Sequence, residues 1–200
     1  MIKSVFIILL ILPFLSFSKG FVPNSFKADF KEERIKIISK KKVYSVGSIE
    51  YKFPSHLRFE VKTPHKTTLV INPKKTWYYN PALIAGEKGE LNISSTRQNS
   101  LSKIFDILKS GVKVNKDYKV EKKNGYYELR LSKANAKTLG VQRINLFFSK
   151  EPVFKNIESI KIFYGKKRKT YFFTNLKENV SLSQKRFTFK VPANTNINKL

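Results

Sequence analysis

Residues 51–81 read YKFPSHLRFEVKTPHKTTLVINPKKTWYYNP. Leu57, Phe59 and Val61 alternate with Arg58, Glu60 and Lys62, and the turn Thr63-Pro64-His65 follows. Thr67, Leu69 and Ile71 then share one face, with Thr68 and Val70 on the other. Asn72-Pro73-Lys74-Lys75 makes a second turn, and Trp77 and Tyr79 lead into Asn80-Pro81. Apolar residues at a period of two, broken by Pro and Asn, predict three short antiparallel strands in a meander. The bulky face is expected to run through the odd-numbered residues from Leu57 to Tyr79. Such a face either packs on a core or walls a space that holds something apolar.

Working outward, the chain continues in strands. Phe26, Ala28 and Phe30 open the first, and the phase slips to Ile35 and Ile37, so a bulge is expected near Glu32-Glu33-Arg34. Val43 to Phe53 forms the next, with Gly47 as a kink. Leu83 to Ile93 reads as a weak strand, Ser94 to Ser100 as a loop. The clearest helix is Leu101 to Lys109: Leu101, Ile104, Phe105 and Leu108 form one stripe, Ser100 can cap it and Gly111 can end it. So short a helix must dock on something to persist. Strands return at Tyr118, with a hairpin at Asn124-Gly125, and Ala134 to Gly140 reads as a loop. Further strands follow to Leu176, and the tail carries Phe187, Phe189 and Val191 before Pro192. The fold class is therefore mainly β: a single curved, one-sided antiparallel sheet of about ten to eleven strands, with no βαβ rhythm.

Composition narrows the function classes. The 200 residues fit one domain, and 17 Phe with 9 Tyr favour strands. Forty Lys and Arg against 14 Asp and Glu give a formal charge of +26, which suits a polyanion or an anionic membrane surface. The bases are spread along the chain, with knots at Lys40-Lys41-Lys42 and Lys166-Lys167-Arg168-Lys169 where turns are expected. With no cysteine, disulfides, thiolate metal sites and a lipidated N-terminal cysteine are excluded. Met1 to Ser18 reads as a secretory signal peptide: Lys3, an apolar core from Val5 to Leu15, then Ser16-Phe17-Ser18. The mature domain would span residues 19–200 in an exported, periplasmic setting, which argues against nucleic acid as the partner.

Catalysis is not indicated. His56 and His65 lie beside turns, read as surface residues, and have no Asp or Ser arranged near them. No phosphate loop, metal-binding motif or nucleophile elbow occurs, and no cofactor is implied.

Lys52-Phe53-Pro54, Phe59, Pro64, Leu69-Val70 and Trp77-Tyr78-Tyr79-Asn80-Pro81 together resemble the LolA family of periplasmic lipoprotein carriers. Phe172-Phe173-Thr174-Asn175-Leu176-Lys177 with Asn179, Leu182 and Phe187 to Pro192 resembles that family's closing pattern. The resemblance implies an unclosed half-barrel with a helical lid, and no enzyme activity. It implies a carrier that takes lipoprotein acyl chains into an apolar cavity and moves them from the inner to the outer membrane. Leu57, Phe59, Leu69, Ile71, Trp77 and Tyr79 would be the acyl-binding wall, and Leu101, Ile104, Phe105 and Leu108 the lid stripe. Its implied partners are acylated lipoproteins, an inner-membrane lipoprotein-releasing ABC transporter and an outer-membrane acceptor lipoprotein; a monomer is expected, as is affinity for anionic membrane surfaces. Each methylene kept from water is worth roughly 0.8 kcal/mol, so shielding one long chain is worth on the order of 10 kcal/mol.

Two departures from the family stand out. The amphipathic N-terminal helix of typical members is missing, which leaves open how that end of the cavity is covered. Phe53 stands where members carry the Arg that ties the lid shut. Closure then falls to apolar contacts or to Lys52, Arg58 or Arg97, and a loosely closed empty state is expected. The same residues also suit a non-carrier lipid-sensing envelope module, or an exported polyanion-binding protein.

Overall fold

A computed structural model describes residues 20–95 and 101–200. The expected signal peptide, Arg97 and the expected Ser100 cap lie outside the described residues. Twelve strands form one sheet in the order β12-β6-β5-β4-β3-β2-β1-β11-β10-β9-β8-β7. In chain order the strands are β1 (Ser25–Ile35), β2 (Lys42–Lys52), β3 (His56–Thr63), β4 (Thr67–Ile71), β5 (Lys75–Asn80) and β6 (Gly89–Ser95). The second half holds β7 (Tyr118–Lys123), β8 (Tyr126–Leu131), β9 (Arg143–Phe148), β10 (Ile157–Tyr164), β11 (Lys167–Glu178) and β12 (Thr195–Lys199). Because β1 pairs with β2 on one side and β11 on the other, the two halves of the chain meet at the centre of the sheet. The result is the expected mainly β, unclosed curved sheet. Its last strand, β12, comes after Pro192 and pairs in parallel with β6, an addition that the sequence pattern does not predict.

Among the described residues, two short α-helices accompany the sheet. Helix α1 (Leu101–Ile107) tightens into a 3-10 turn, Leu108–Ser110, and stops at Gly111, whose φ of 73° suits glycine. Helix α2 (Lys133–Leu139) replaces the expected loop. Ser132 Oγ accepts from Asn135 N–H at 3.4 Å, and Gly140 ends it in the left-handed region. The capping Ser and the following Gly are its readable signals.

Strand β1 corrects the expected bulge. Its register with β2 runs unbroken from Ser25↔Lys52 to Ile35↔Lys42, and the irregularity lies instead against β11, between Lys27 and Asp29. Phe26, Ala28, Phe30 and Glu32 therefore all point inward and are buried. A charged residue occupies the fourth inward position, and the apolar Ile37 and Ile38 fall in the hairpin tip, both exposed.

The main core fills the concave side. Phe26 packs against Tyr51, Phe105 and Phe154 at centroid distances of 5.4, 5.1 and 4.9 Å. Phe30 stacks on Phe59 at 4.2 Å, and both meet Tyr171 edge-on. The N-terminal end of the described residues packs through Phe21 and Val22. Phe21 sits edge-on to Phe148 and Phe154, Val22 is fully buried, and Phe21 N–H donates to the Lys109 carbonyl. A second, smaller cluster lies on the other face of the sheet, where Val70, Trp77 and Leu91 pack with Tyr79, Ile93 and Phe189.

Candidate functional site

The meander places its residues on two faces, not one. Leu57 pairs with Ile71 and Phe59 with Leu69, so these four share the concave face. Across the next turn Ile71 pairs with Thr76, Leu69 with Tyr78 and Val70 with Trp77. Odd positions of β4 thus meet even positions of β5. Trp77 and Tyr79 belong to the convex face, under the tail residue Phe189, whose ring lies 5.2 Å from Tyr79. Tyr78 takes their place on the concave side. The expectation of one odd-numbered wall from Leu57 to Tyr79 is corrected accordingly.

Helix α1 lies across the concave face, with Ile104, Phe105 and Leu108 buried and Leu101 half-buried. Beneath it Ile49, Phe59, Ile160, Ile162, Tyr171 and Phe173 leave a gap of only about 10 Å³. Past its Leu101 end the concave face opens into a groove of about 590 Å³. Phe59, Val61, Leu69, Tyr78, Leu101 and Tyr171 give the groove its apolar lining. Its volume falls within the ~300–1,000 Å³ typical of ligand clefts. Leu57 and Ile71 are fully buried behind this lining.

The far end of the helix is held by a polar clasp that sequence reasoning missed. Asp106 accepts from Tyr51 Oη at 2.6 Å, from Ser55 N–H at 3.0 Å and from Ser55 Oγ at 2.5 Å. Burial, with the Asp106 carboxylate beside it, pushes the Tyr51 hydroxyl far above the ordinary tyrosine value, so it remains a donor. Lys109 Nζ donates to the Val22 carbonyl at 3.1 Å and Asn24 Oδ1 at 2.9 Å, and lies 4.6 Å from the Phe53 ring centre. Polar contacts from helix to sheet thus join the buried apolar stripe in closure, and neither Lys52 nor Arg58 takes part. Lys52 donates instead to the Leu182 carbonyl, and Arg58 pairs with Glu60 and donates to the Arg186 carbonyl. The readable signal is Asp106 itself, the one carboxylate in an otherwise apolar and basic helix.

The groove mouth is polar and mixed in charge. Arg34, Lys167, Lys169 and His65 line it, and the buried Glu32 sits 3.6 Å from Lys169 Nζ. Burial, reinforced by the Glu32 charge, pushes Tyr164 up to about 12 and Tyr171 well above its usual value. Burial also pushes Tyr118, which donates to the Gly111 carbonyl at 2.6 Å, up to about 12. An unfolded chain ionises its tyrosines near pH ~10. Below that pH both states keep these protons and stability is unaffected. Between about pH 10 and 12 only the unfolded chain sheds them, so stability falls as pH rises through that window. Tyrosinate absorbance and loss of near-ultraviolet dichroism are expected to appear together there.

The two histidines differ. His65 is exposed at the groove mouth, whereas His56 is buried, correcting the surface reading. Its Nδ1 lies 2.7 Å from the Pro54 carbonyl and must donate to it, leaving Nε2 to accept from Gln184 Nε2 at 2.6 Å. Phe187 packs edge-on to the ring. His56 thus anchors the tail to the sheet.

Residues 23–190 match the family described as outer membrane lipoprotein carrier protein LolA. The chain belongs to the LolA family. That family is one of periplasmic lipoprotein carriers. No helix among the described residues is long and apolar enough to cross a membrane. No curated protein matches the sequence. The fold is similar to that of an uncharacterized conserved protein from Thermus thermophilus, at 13% identity and a TM-score of 0.50 over 89% of this chain and 91% of that one. A LolA superfamily protein from Nitrosomonas europaea aligns at 11% identity and a TM-score of 0.47, over 86% of this chain and 93% of that one. At such identities the likeness to the Thermus protein is one of fold.

Proposed function

We propose that this LolA-family chain carries lipoproteins from the inner to the outer membrane, with the acyl chains held in the groove beside helix α1. The observation that carries the reading is the groove of about 590 Å³, continuous with an apolar wall now covered by the helix stripe. Phe59 and Leu69 line the groove directly, while Leu57 and Ile71 back it; Leu101 borders it, and Ile104, Phe105 and Leu108 are the removable cover. Trp77 and Tyr79 have no part in this wall. Uncovering the three buried lid residues costs roughly 1.5–3 kcal/mol each. An entering acyl chain returns a comparable amount, at roughly 0.8 kcal/mol per methylene. Lid and cargo compete for one surface, so binding is close to balanced and release stays possible. The inner-membrane transporter and an outer-membrane acceptor are the partners this role requires.

Mass spectrometry of material co-purified from the native periplasm tests the reading directly. Acylated lipoproteins are expected, and their transfer to outer-membrane vesicles separates a carrier from a lipid sensor. Recovery of neither lipoprotein nor lipid would overturn it. Leu69→Trp, which fills the groove, is expected to weaken retention of an acylated protein about tenfold, or ~1.4 kcal/mol. Trp77→Leu, on the convex face, should leave retention unchanged.

A further inference from the structure

The strand register collects several connections at one end of the sheet, the β8–β9 connection with helix α2 among them. Ile35↔Lys42 closes the β1–β2 hairpin there, and Arg34↔Lys169 sets the β10–β11 turn beside it. Val46↔Thr63 brings up the β3–β4 turn, and Thr67 Oγ1 donates to Asn80 Oδ1 at the start of the β5–β6 connection. The groove opens at this same end, since Arg34, Pro64, His65, Thr67 and Lys167 line it.

Two kinds of side chain stand out on these tips. Apolar residues are thrown into solvent: Ile37 is 52% exposed, Ile38 98%, Leu83 77% and Ile84 64%. They are flanked by bases, Lys40-Lys41-Lys42 on one hairpin and Lys166-Lys167-Arg168-Lys169 on the next. Carboxylates do little to cancel them. Glu33 is taken up by Lys42 at 3.1 Å and Glu32 lies buried beside Lys169, leaving Glu87 as the acid of the β5–β6 connection. A protein–protein core is depleted in Lys and broadly packed. Isolated aliphatic tips ringed by lysine instead suit a bilayer interface, where the bases meet anionic headgroups and the aliphatic groups enter the acyl boundary.

We propose that this rim docks on an anionic lipid surface, Ile37 and Ile38 entering the headgroup layer while Lys40, Lys41, Lys166 and Arg168 meet lipid phosphates. The proposal goes beyond the carrier reading and stands whether or not the groove holds a lipoprotein. Docked this way, the groove mouth faces the membrane, so an acyl chain handed over by a partner at that membrane reaches the groove with little exposure to water.

Flotation of the full chain with vesicles of equimolar phosphatidylglycerol and phosphatidylcholine, against pure phosphatidylcholine, tests the surface without any cargo. Binding is expected to the first and not the second, weakening steeply with salt. K40Q/K41Q/K166Q/R168Q should lose at least about tenfold in binding, and K74Q/K122Q/K150Q/K155Q, with the same charge removed at exposed sites at the opposite end of the sheet, much less. Ile37→Ser with Ile38→Ser leaves the charge intact and should also weaken binding several-fold. All these positions are exposed, and unchanged circular dichroism confirms that each variant folds. Equal loss in both charge variants, an unaffected isoleucine variant, or equal binding to neutral vesicles would each overturn the proposal. So would binding only to an acidic protein partner. Lipoprotein retention is read separately, so failure here leaves the groove reading standing.

Discussion

Replacing Asp106 by alanine is expected to free one end of helix α1 while leaving the sheet folded. Three donors converge on this carboxylate, two of them from Ser55 in the turn between β2 and β3 and one from the buried Tyr51 hydroxyl. Removing it leaves the hydroxyl of the buried Tyr51 without its acceptor. Loss of a charged acceptor with a stranded buried donor costs about 3 kcal/mol. Since the contacts join helix to sheet, the loss falls on the closed arrangement, and amide exchange across Leu101–Ser110 should quicken by roughly 100-fold. Exchange in β1 and β2 should change far less. In the carrier reading the same variant takes up acyl chains more tightly, because less of its binding energy goes into lifting the helix. Tyr51→Phe removes one of the three donors and should give a smaller effect in the same direction. A uniform rise in exchange over the whole chain would show that Asp106 supports the fold at large and does not specifically secure the helix.

Gly47→Ala is expected to destabilise the whole sheet. A Cβ at Gly47 would lie 1.9 Å from the Glu60 carbonyl oxygen and 2.9 Å from its carbon, with Phe30 Cζ at 2.8 Å. The first two are backbone atoms of the neighbouring strand and cannot rotate away. The register between β2 and β3 already shifts at Val46 and Gly47, which is what brings the strands so close. Overpacking of this kind costs about 3 kcal/mol, or roughly 10 °C in Tm for a domain of this size. Phe30 stacks on Phe59, so any accommodation is transmitted to the groove wall. Thermal unfolding followed by circular dichroism checks the first effect, and retention of an acylated protein checks the second. Gly86→Ala makes a useful comparison: it meets no atom within 4 Å, and only its positive φ of 90° opposes the substitution.

How far the chain can be read depends on where its information is local. The alternation in β3 and β4 fixes the concave positions of Leu57, Phe59, Leu69 and Ile71, because residues on one strand keep their face. Beyond Asn72 the face depends on how many residues the turn consumes. Asn72 Oδ1 accepts from the backbone N–H of both Lys74 and Lys75, and the resulting turn pairs Ile71 with Thr76. Trp77, Tyr78 and Tyr79 put aromatics on both faces, so composition does not distinguish the two registers. Glu32 misleads for a different reason. A charge at an inward position reads as a slip of the strand, whereas the partner that holds it, Lys169, lies far along the chain. The clasp on Asp106 is hidden in the same way, since Tyr51 and Ser55 are some fifty positions distant. Long-range pairing of polar groups carries no periodicity, and periodicity is the main signal a lone sequence offers.

A sheet left unclosed must end somewhere, and this one ends at β7 and β12. A free strand edge invites another chain to add to it, a hazard for any protein that keeps an apolar hollow. β7 presents Lys119, Glu121, Lys122 and Lys123, and β12 reads TNINK. Charged and amide side chains on short terminal strands discourage that addition. β12 also runs parallel to β6, against the antiparallel habit of the rest, and it seals an edge that would otherwise expose the longer β6. Shaving off the last residues should therefore cost little in folding and much in colloidal behaviour: chains lacking Thr195–Lys199 would pair edge to edge through β6, seen as dimers in size-exclusion chromatography.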